Sequence, residues 1–250
     1  MNLRSQVLAV LPGWLAEKVP RDHWESDAAF LRRRRVVAGT SLVGAGLLGA
    51  SLSREPGSPA FYGLTMATAG TWVAGGLASG KLHLGHMPDV WRHTADLRRP
   101  VVTPVLLGVG AFGAFYGAAL VARRIPVLRR AIAHILSFAD EGDDGLVLVT
   151  TLANGAAEEV FFRGALYAAI GSRQPVATST GVYVLATVAT RNPALVLAAG
   201  VMGALFGLQR RATGGIQAST LTHLTWSSLM LRYLPPLFRE VPPEDVPNDL

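Results

Sequence analysis

Glu158, Glu159 and Arg163 stand in the middle of GLVLVTTLANGAAEEVFFRGALYAAI, a run of 26 residues from Gly145 to Ile170 that is otherwise mostly apolar. A helix of that length can cross a bilayer, at about 1.5 Å per residue. Each charge at mid-bilayer opposes insertion by about 2.5–3.5 kcal/mol, so three in one span require a compensating role. Glu159 and Arg163 are four apart and share a helix face, where each offsets part of the other's cost. Glu158 is turned about 100° from that face and lacks the same pairing geometry. A carboxylate so placed inside a membrane span marks a candidate functional site. Asn154, one turn earlier, can hydrogen-bond that carboxylate or else satisfy a neighbouring helix.

Six histidines accompany these residues, and only His223 falls inside an expected span. Counted from the inner helix ends, Glu158 lies roughly 18 Å deep and His223 roughly 15 Å deep. The two side chains can therefore line one cavity, expected to open toward the cytoplasmic half of the membrane. The alternative for His223 is a helix histidine hydrogen-bonded to a neighbouring span. His83, His86 and His93 form no zinc-protease arrangement with an acidic residue, and a solvated or headgroup-facing loop is expected over 80–100. Most other membrane-protease chemistries lack their parts: the sequence has no cysteine, no H-E-x-x-H and no pair of aspartates within spans. Ser179, Ser219, Ser227 and Ser228 lie in spans but in no Gly-x-Ser-x-Gly turn, which leaves a serine–histidine pair with His223 as a weaker alternative.

The elements that must position these residues are helical. Half of the 250 residues are hydrophobic and 16% are charged, well below the one quarter or so of a soluble domain. Seven spans are expected, over 36–53, 59–79, 101–122, 145–170, 174–190, 193–209 and 213–231, in an all-α, polytopic membrane bundle. The basic block Arg32–Arg35 precedes the first span. With it inside, cytoplasmic segments hold fourteen Lys/Arg against eight outside, which supports an N-in orientation. The net charge of +6 flanks apolar runs in the manner of membrane anchoring, so a lipid bilayer rather than nucleic acid is the expected partner.

The basic, amphipathic 123–138 segment suits a helix lying along the membrane surface, and residues 3–15 suit either such a helix or a loosely ordered N-terminus. Asp140, Glu141, Asp143 and Asp144 lack calcium-loop spacing and suit a solvated turn that caps the next helix. Gly76/Gly80, Gly113/Gly117 and Gly203/Gly207 are small-residue pairs expected to pack helices within the chain. Three regions follow: 1–138 with about three spans and an interfacial helix, a core over 139–232, and a proline-rich, acidic, disordered tail over 233–250.

Glu158-Glu159-Val-Phe-Phe-Arg163 resembles the Glu-Glu-x-x-x-Arg motif of the CPBP family, the CAAX proteases and bacteriocin-processing enzymes, also called the abortive-infection family. The stretch TGGIQASTLTHLTWSS resembles that family's final motif, a helix carrying His with Asn or Asp four residues later. The resemblance covers roughly 139–232 and implies a four-helix, CPBP-like core in the C-terminal half. It implies an intramembrane glutamate-type endopeptidase, without metal or cofactor, acting on a membrane-associated peptide or protein in the plasma (inner) membrane. By position it makes Glu158 the general base, Glu159 and Arg163 a structural brace, and His223 an oxyanion or water-positioning group.

Two positions depart from the pattern. The family's middle motif, Phe-x-x-x-His, should fall within 181–192, where there is no histidine and the polar candidates are Tyr183, Thr187 and Thr190. The residue four after His223 is Ser227. A hydroxyl donates a hydrogen bond but is a poor proton acceptor, so Thr187 and Ser227 can support a site without replacing an imidazole. A catalytically inactive relative that binds or scaffolds a partner is the alternative function.

Overall fold

Prolines and short polar caps punctuate the apolar runs into helices. Pro59, Pro126, Pro175 and Pro193 open four of them, where the missing N–H costs no hydrogen bond. Ser26, Ser58, Asp143 and Asn192 cap helix N-termini by accepting from free amides of the first turn. The computed structural model describes residues 26–89, 94–171 and 174–239. In order these form α1 (Asp27–Ser51), α2 (Pro59–Ser79), a hairpin of β1 (Met87–Asp89) and β2 (Thr94–Arg98), α3 (Val102–Ala122) and α4 (Pro126–Asp140). Then come α5 (Asp144–Ile170), α6 (Pro175–Val188), α7 (Pro193–Thr213), α8 (Gln217–Tyr233) and a 3₁₀ turn (Pro235–Leu237). The fold is an all-α polytopic bundle.

The seven expected spans correspond to α1, α2, α3, α5, α6, α7 and α8. By length and composition alone, three of them, Val102–Ala122, Asp144–Ile170 and Pro193–Thr213, are long and apolar enough to cross a membrane, and Pro175–Val188 is a shorter apolar helix. α1 starts earlier than its apolar run, because the Ser26 cap sets its origin and the Arg32–Arg35 block forms its opening turns. Arg33 is buried there and donates to Ser79 Oγ at 3.2 Å and to the Lys81 carbonyl at 3.4 Å.

Contacts between connections show that the helices alternate in direction. One end gathers Phe30, Ser79, the segment 81–86, Gly171 and the α7–α8 turn. There the backbone of His83, Leu84 and His86 bonds Ile216, Gln217 and Thr213 at 2.8–3.0 Å. The first part of the expected solvated or headgroup-facing loop, residues 81–86, is thus a strap fastened to the bundle end, while Lys81, Leu84 and 96–99 are exposed. The other end gathers Gly57, Tyr62, Ala131, Glu141, Asp143 and Asn192.

Asp143 caps α5 by accepting from Leu146 N at 2.9 Å, as the acidic turn implied. α4 is amphipathic, burying Leu136 and Phe138 and exposing Arg129 and Arg130. Gly76 abuts Val160 of α5, and Gly203 and Gly207 abut α6. Gly113 and Gly117 face open space instead, since α3 buries only Pro104, Gly108 and Ala119. The first residues of the stretch expected to be a disordered tail are ordered: Leu234 packs with Ala119 and Leu136, and Arg239 pairs with Asp140 at 2.6 Å. Residues 3–15, His93 and 240–250 lie outside the described residues.

Candidate active site

A π-helical stretch, Glu159–Leu166, interrupts α5 where the two glutamates meet. Such widened turns occur mostly as local insertions in α-helices, often at functional sites. Glu158 is the last residue of the regular helix and Glu159 the first of the widened one. Glu158 lies on the wall of a cavity of about 320 Å³, with Asn154, Tyr183, Thr187, His223 and Ser227. Glu159 lies behind that wall and is fully buried.

The surroundings of the two carboxylates differ in charge. Glu158 accepts from two neutral donors, Asn154 Nδ2 at 3.0 Å on Oε1 and the Tyr183 hydroxyl at 2.6 Å on Oε2. Glu159 Oε1 meets Arg163 Nη1 at 3.2 Å and His223 Nδ1 at 3.0 Å. An ionised carboxylate only accepts, so this contact puts a proton on Nδ1 and leaves Nε2 for other partners. The imidazole is stacked on Phe206 with centroids 4.8 Å apart. Its Nε2–Cδ2 edge faces Gly155, where an added Cβ would lie 3.5 Å from both atoms.

Arg163 is buried between aromatic faces, its guanidinium carbon 4.6 Å from the Tyr183 centroid and 5.0 Å from that of Phe206. Its Nε and Nη2 have no hydrogen-bond partner, and the rings supply cation–π attraction in place of acceptors. Arg210 supports the widened helix from α7. Tyr167 N–H bonds the carbonyls of Phe162 and Gly164, and the carbonyl between them, on Arg163, accepts from Arg210 Nε at 2.8 Å. Arg210 is therefore buried inside the bundle, where charge counting had placed a cytoplasmic anchor.

All of these contacts fall in one stretch of chain. Residues 145–229 match the family model for type II CAAX prenyl endopeptidase Rce1-like proteins. The match agrees with the resemblance carried by Glu158, Glu159, Arg163 and the His223 helix, and it covers α5 to α8. Comparison with curated proteins and with solved structures gave no match. The apolar helices and this match to a membrane-protease family support an integral membrane protein.

Within the Rce1-like segment the structure brings Glu158, Asn154, Thr187, His223 and Ser227 to the lining of one cavity, with Glu159 behind it, in contact with both His223 and Arg163. Thr187 spends its hydroxyl hydrogen on the Tyr183 carbonyl, 2.8 Å away in its own helix. The side chain that reaches Glu158 from α6 is Tyr183, one turn earlier. Its polar tip in an apolar run was a visible signal; its direction depended on how α6 packs against α5. The contact between Glu159 and His223 had no signal in the sequence, because it joins residues 64 apart.

The cavity also fixes a direction. Its lining continues from Glu158 and His223 to Leu52, Phe61, Ile135, Leu195 and Leu234, all toward the end opposite the Arg32–Arg35 block. An N-in orientation and a cytoplasmic opening are therefore incompatible, which corrects the pair of expectations. Among the described residues, no three His, Asp or Glu side chains gather as a metal-holding group.

Proposed function

We propose that the protein is an intramembrane endopeptidase of the plasma (inner) membrane that hydrolyses a membrane-associated peptide with Glu158 as general base. The single observation that carries this reading is a carboxylate on a cavity wall, fixed through both oxygens, beside an imidazole that a second carboxylate orients. Residues 139–232 form the catalytic core in this reading, with the helices before it as its jacket.

Glu158 takes a proton from water as the water oxygen bonds the scissile carbonyl carbon. The C–N bond then breaks, and the same carboxyl returns the proton to the leaving amine. A protonated His223, paired through Nδ1 with Glu159, offers Nε2–H to the oxyanion, and a dry site makes that donor effective. Arg163 keeps Glu159 in place, and Tyr183 and Asn154 fix the Glu158 rotamer. The glutamate mechanism draws further support from the Rce1-like match over the same residues.

The second reading, a binding protein without turnover, is favoured by one observation: both Glu158 oxygens are already engaged, by neutral partners. Single-turnover assays on membrane-embedded peptides in proteoliposomes separate the two. Glu158→Gln keeps the shape and is expected to lower cleavage by about 10²–10⁴, the usual contribution of a positioned base. Cleavage that survives Glu158→Gln, or that stops on adding a chelator, overturns the mechanism. A wild type that binds such peptides and cleaves none of them is the inactive relative.

A further inference from the structure

α3 is an outward-facing apolar helix that ends in a patch of positive charge. It buries only Pro104, Gly108 and Ala119. Its 21 residues span about 31 Å, close to the thickness of a hydrocarbon core of about 30 Å. Arg123 and Arg124 follow its last residue directly, at the level where headgroups begin, and both are exposed. The chain then enters α4, where Arg129 and Arg130 are exposed as well. These two stand nine residues before Phe138 and Ala139, so at about 100° per residue they project from the side of α4 opposite the cavity wall. Arg191 is exposed nearby, next to Asn192, whose Nδ2 bonds the Ala131 carbonyl at 2.7 Å.

Among the described residues, none of these five guanidinium groups is paired with a carboxylate. Asp140 and Glu141 lie at the far end of α4, roughly 15 Å beyond Arg130, which exceeds a screening length of about 8 Å at physiological salt. Asp140 is also engaged by Arg239. Like charges left together repel one another, so the patch gains from an anion supplied from outside. The apolar side of α4 is spent on the protein itself: Leu136 packs with Ala119 and Leu234, and Ile135 and Phe138 line the cavity. What α4 offers outward is therefore charge, with only Ile125 and Val127 exposed among the arginines. An anion that meets arginines at the edge of an apolar, outward-facing helix is a lipid phosphate rather than a soluble one.

We infer that the corner between α3 and α4 is a binding surface for anionic phospholipid headgroups, held by Arg123, Arg124, Arg129 and Arg130. It uses the outer side of α4 and stands apart from the hydrolysis proposed at Glu158.

The chain contains no cysteine, so a single fluorophore can be placed without background. Bimane on Val127→Cys reports the arginine side, and bimane on Val149→Cys reports an exposed position of α5 near the same end but beside the acidic turn. Each labelled protein is reconstituted in mixed vesicles of phosphatidylcholine and phosphatidylglycerol, with one lipid or the other carrying a quenching spin label near its headgroup. At Val127 the labelled phosphatidylglycerol is expected to be preferred by about fivefold or more, the worth of one basic side chain at an anionic surface. That preference should fall toward parity at high salt, and Val149 should show none. Changing the four arginines to Gln is expected to remove the preference at Val127 and to leave the melting temperature in detergent unchanged, because all four are exposed. Equal quenching by the two lipids at Val127, a preference that survives the four substitutions, or one of the same size at Val149 overturns the inference. So does quenching at Val149 with none by either lipid at Val127, since protein or water would then cover the arginines.

Discussion

At the end of the bundle that carries Gly85 and Gly215, backbone meets backbone. A Cβ added to Gly215 would lie 2.0 Å from Gly85 N, and the strap is tied to the α7–α8 turn by main-chain hydrogen bonds. At the opposite end lies a cavity walled by Leu52, Ile135 and Leu195, and the elements around it are joined by side chains: Asn192 Nδ2 donates to the Ala131 carbonyl at 2.7 Å, the Tyr62 hydroxyl accepts from Asp143 N at 2.9 Å, and Arg239 pairs with Asp140 at the surface. The network of Glu159, Arg163, His223 and Arg210 lies between the two. The closed end is thus held by main chain. The cavity end is held by apolar packing, two side-chain hydrogen bonds to backbone and surface charge.

The contrast can be broken from its most rigid member outward. Arg163→Ala leaves Glu159 buried beside His223 without its guanidinium, and losing one partner of such a pair costs about 3–5 kcal/mol. The expected outcome is little folded protein in detergent; normal yield and melting temperature would remove Arg163 from the brace. Gly215→Ala drives a methyl group into the strap's backbone, and overpacking of this kind costs about 1–3 kcal/mol. A melting temperature several degrees lower is expected, and an unchanged one would mean that the closed end is looser than its contacts imply. Arg239→Ala touches only an exposed partner at the open end, and no change in melting temperature is expected at any salt concentration. A clear loss of stability there would erase the distinction between the ends.

Much of this arrangement was legible from residue order. Apolar runs bounded by proline, serine and asparagine became α2, α6 and α7 nearly as drawn, because those residues act on the backbone within one turn. Glu158 and His223 share a wall because each sits mid-helix on spans that run side by side. What escaped were contacts decided by rotation and long-range packing. Thr187 and Tyr183 are both polar and one turn apart, and only the packing of α6 against α5 selects the tyrosine for Glu158. Arg210 reads as a charge at a helix end, yet it closes on a carbonyl 47 residues earlier. The strap looked like a loop because backbone pairing carries no side-chain signature.

The π-helical stretch of α5 sets the phase between two halves of one helix. An extra residue in a helical turn displaces everything beyond it by about 100° relative to an uninterrupted α-helix. Upstream, that angle aims Asn154 and Glu158 at the cavity; downstream, it aims Phe161, Phe162, Ala165 and Ala169 into the core. The segment is therefore sensitive to its length as well as to its side chains. Deleting a single residue between Glu159 and Leu166 would restore a smoother helix and force a choice between its faces, with either the glutamate turned from its cavity or the aromatic core turned toward lipid.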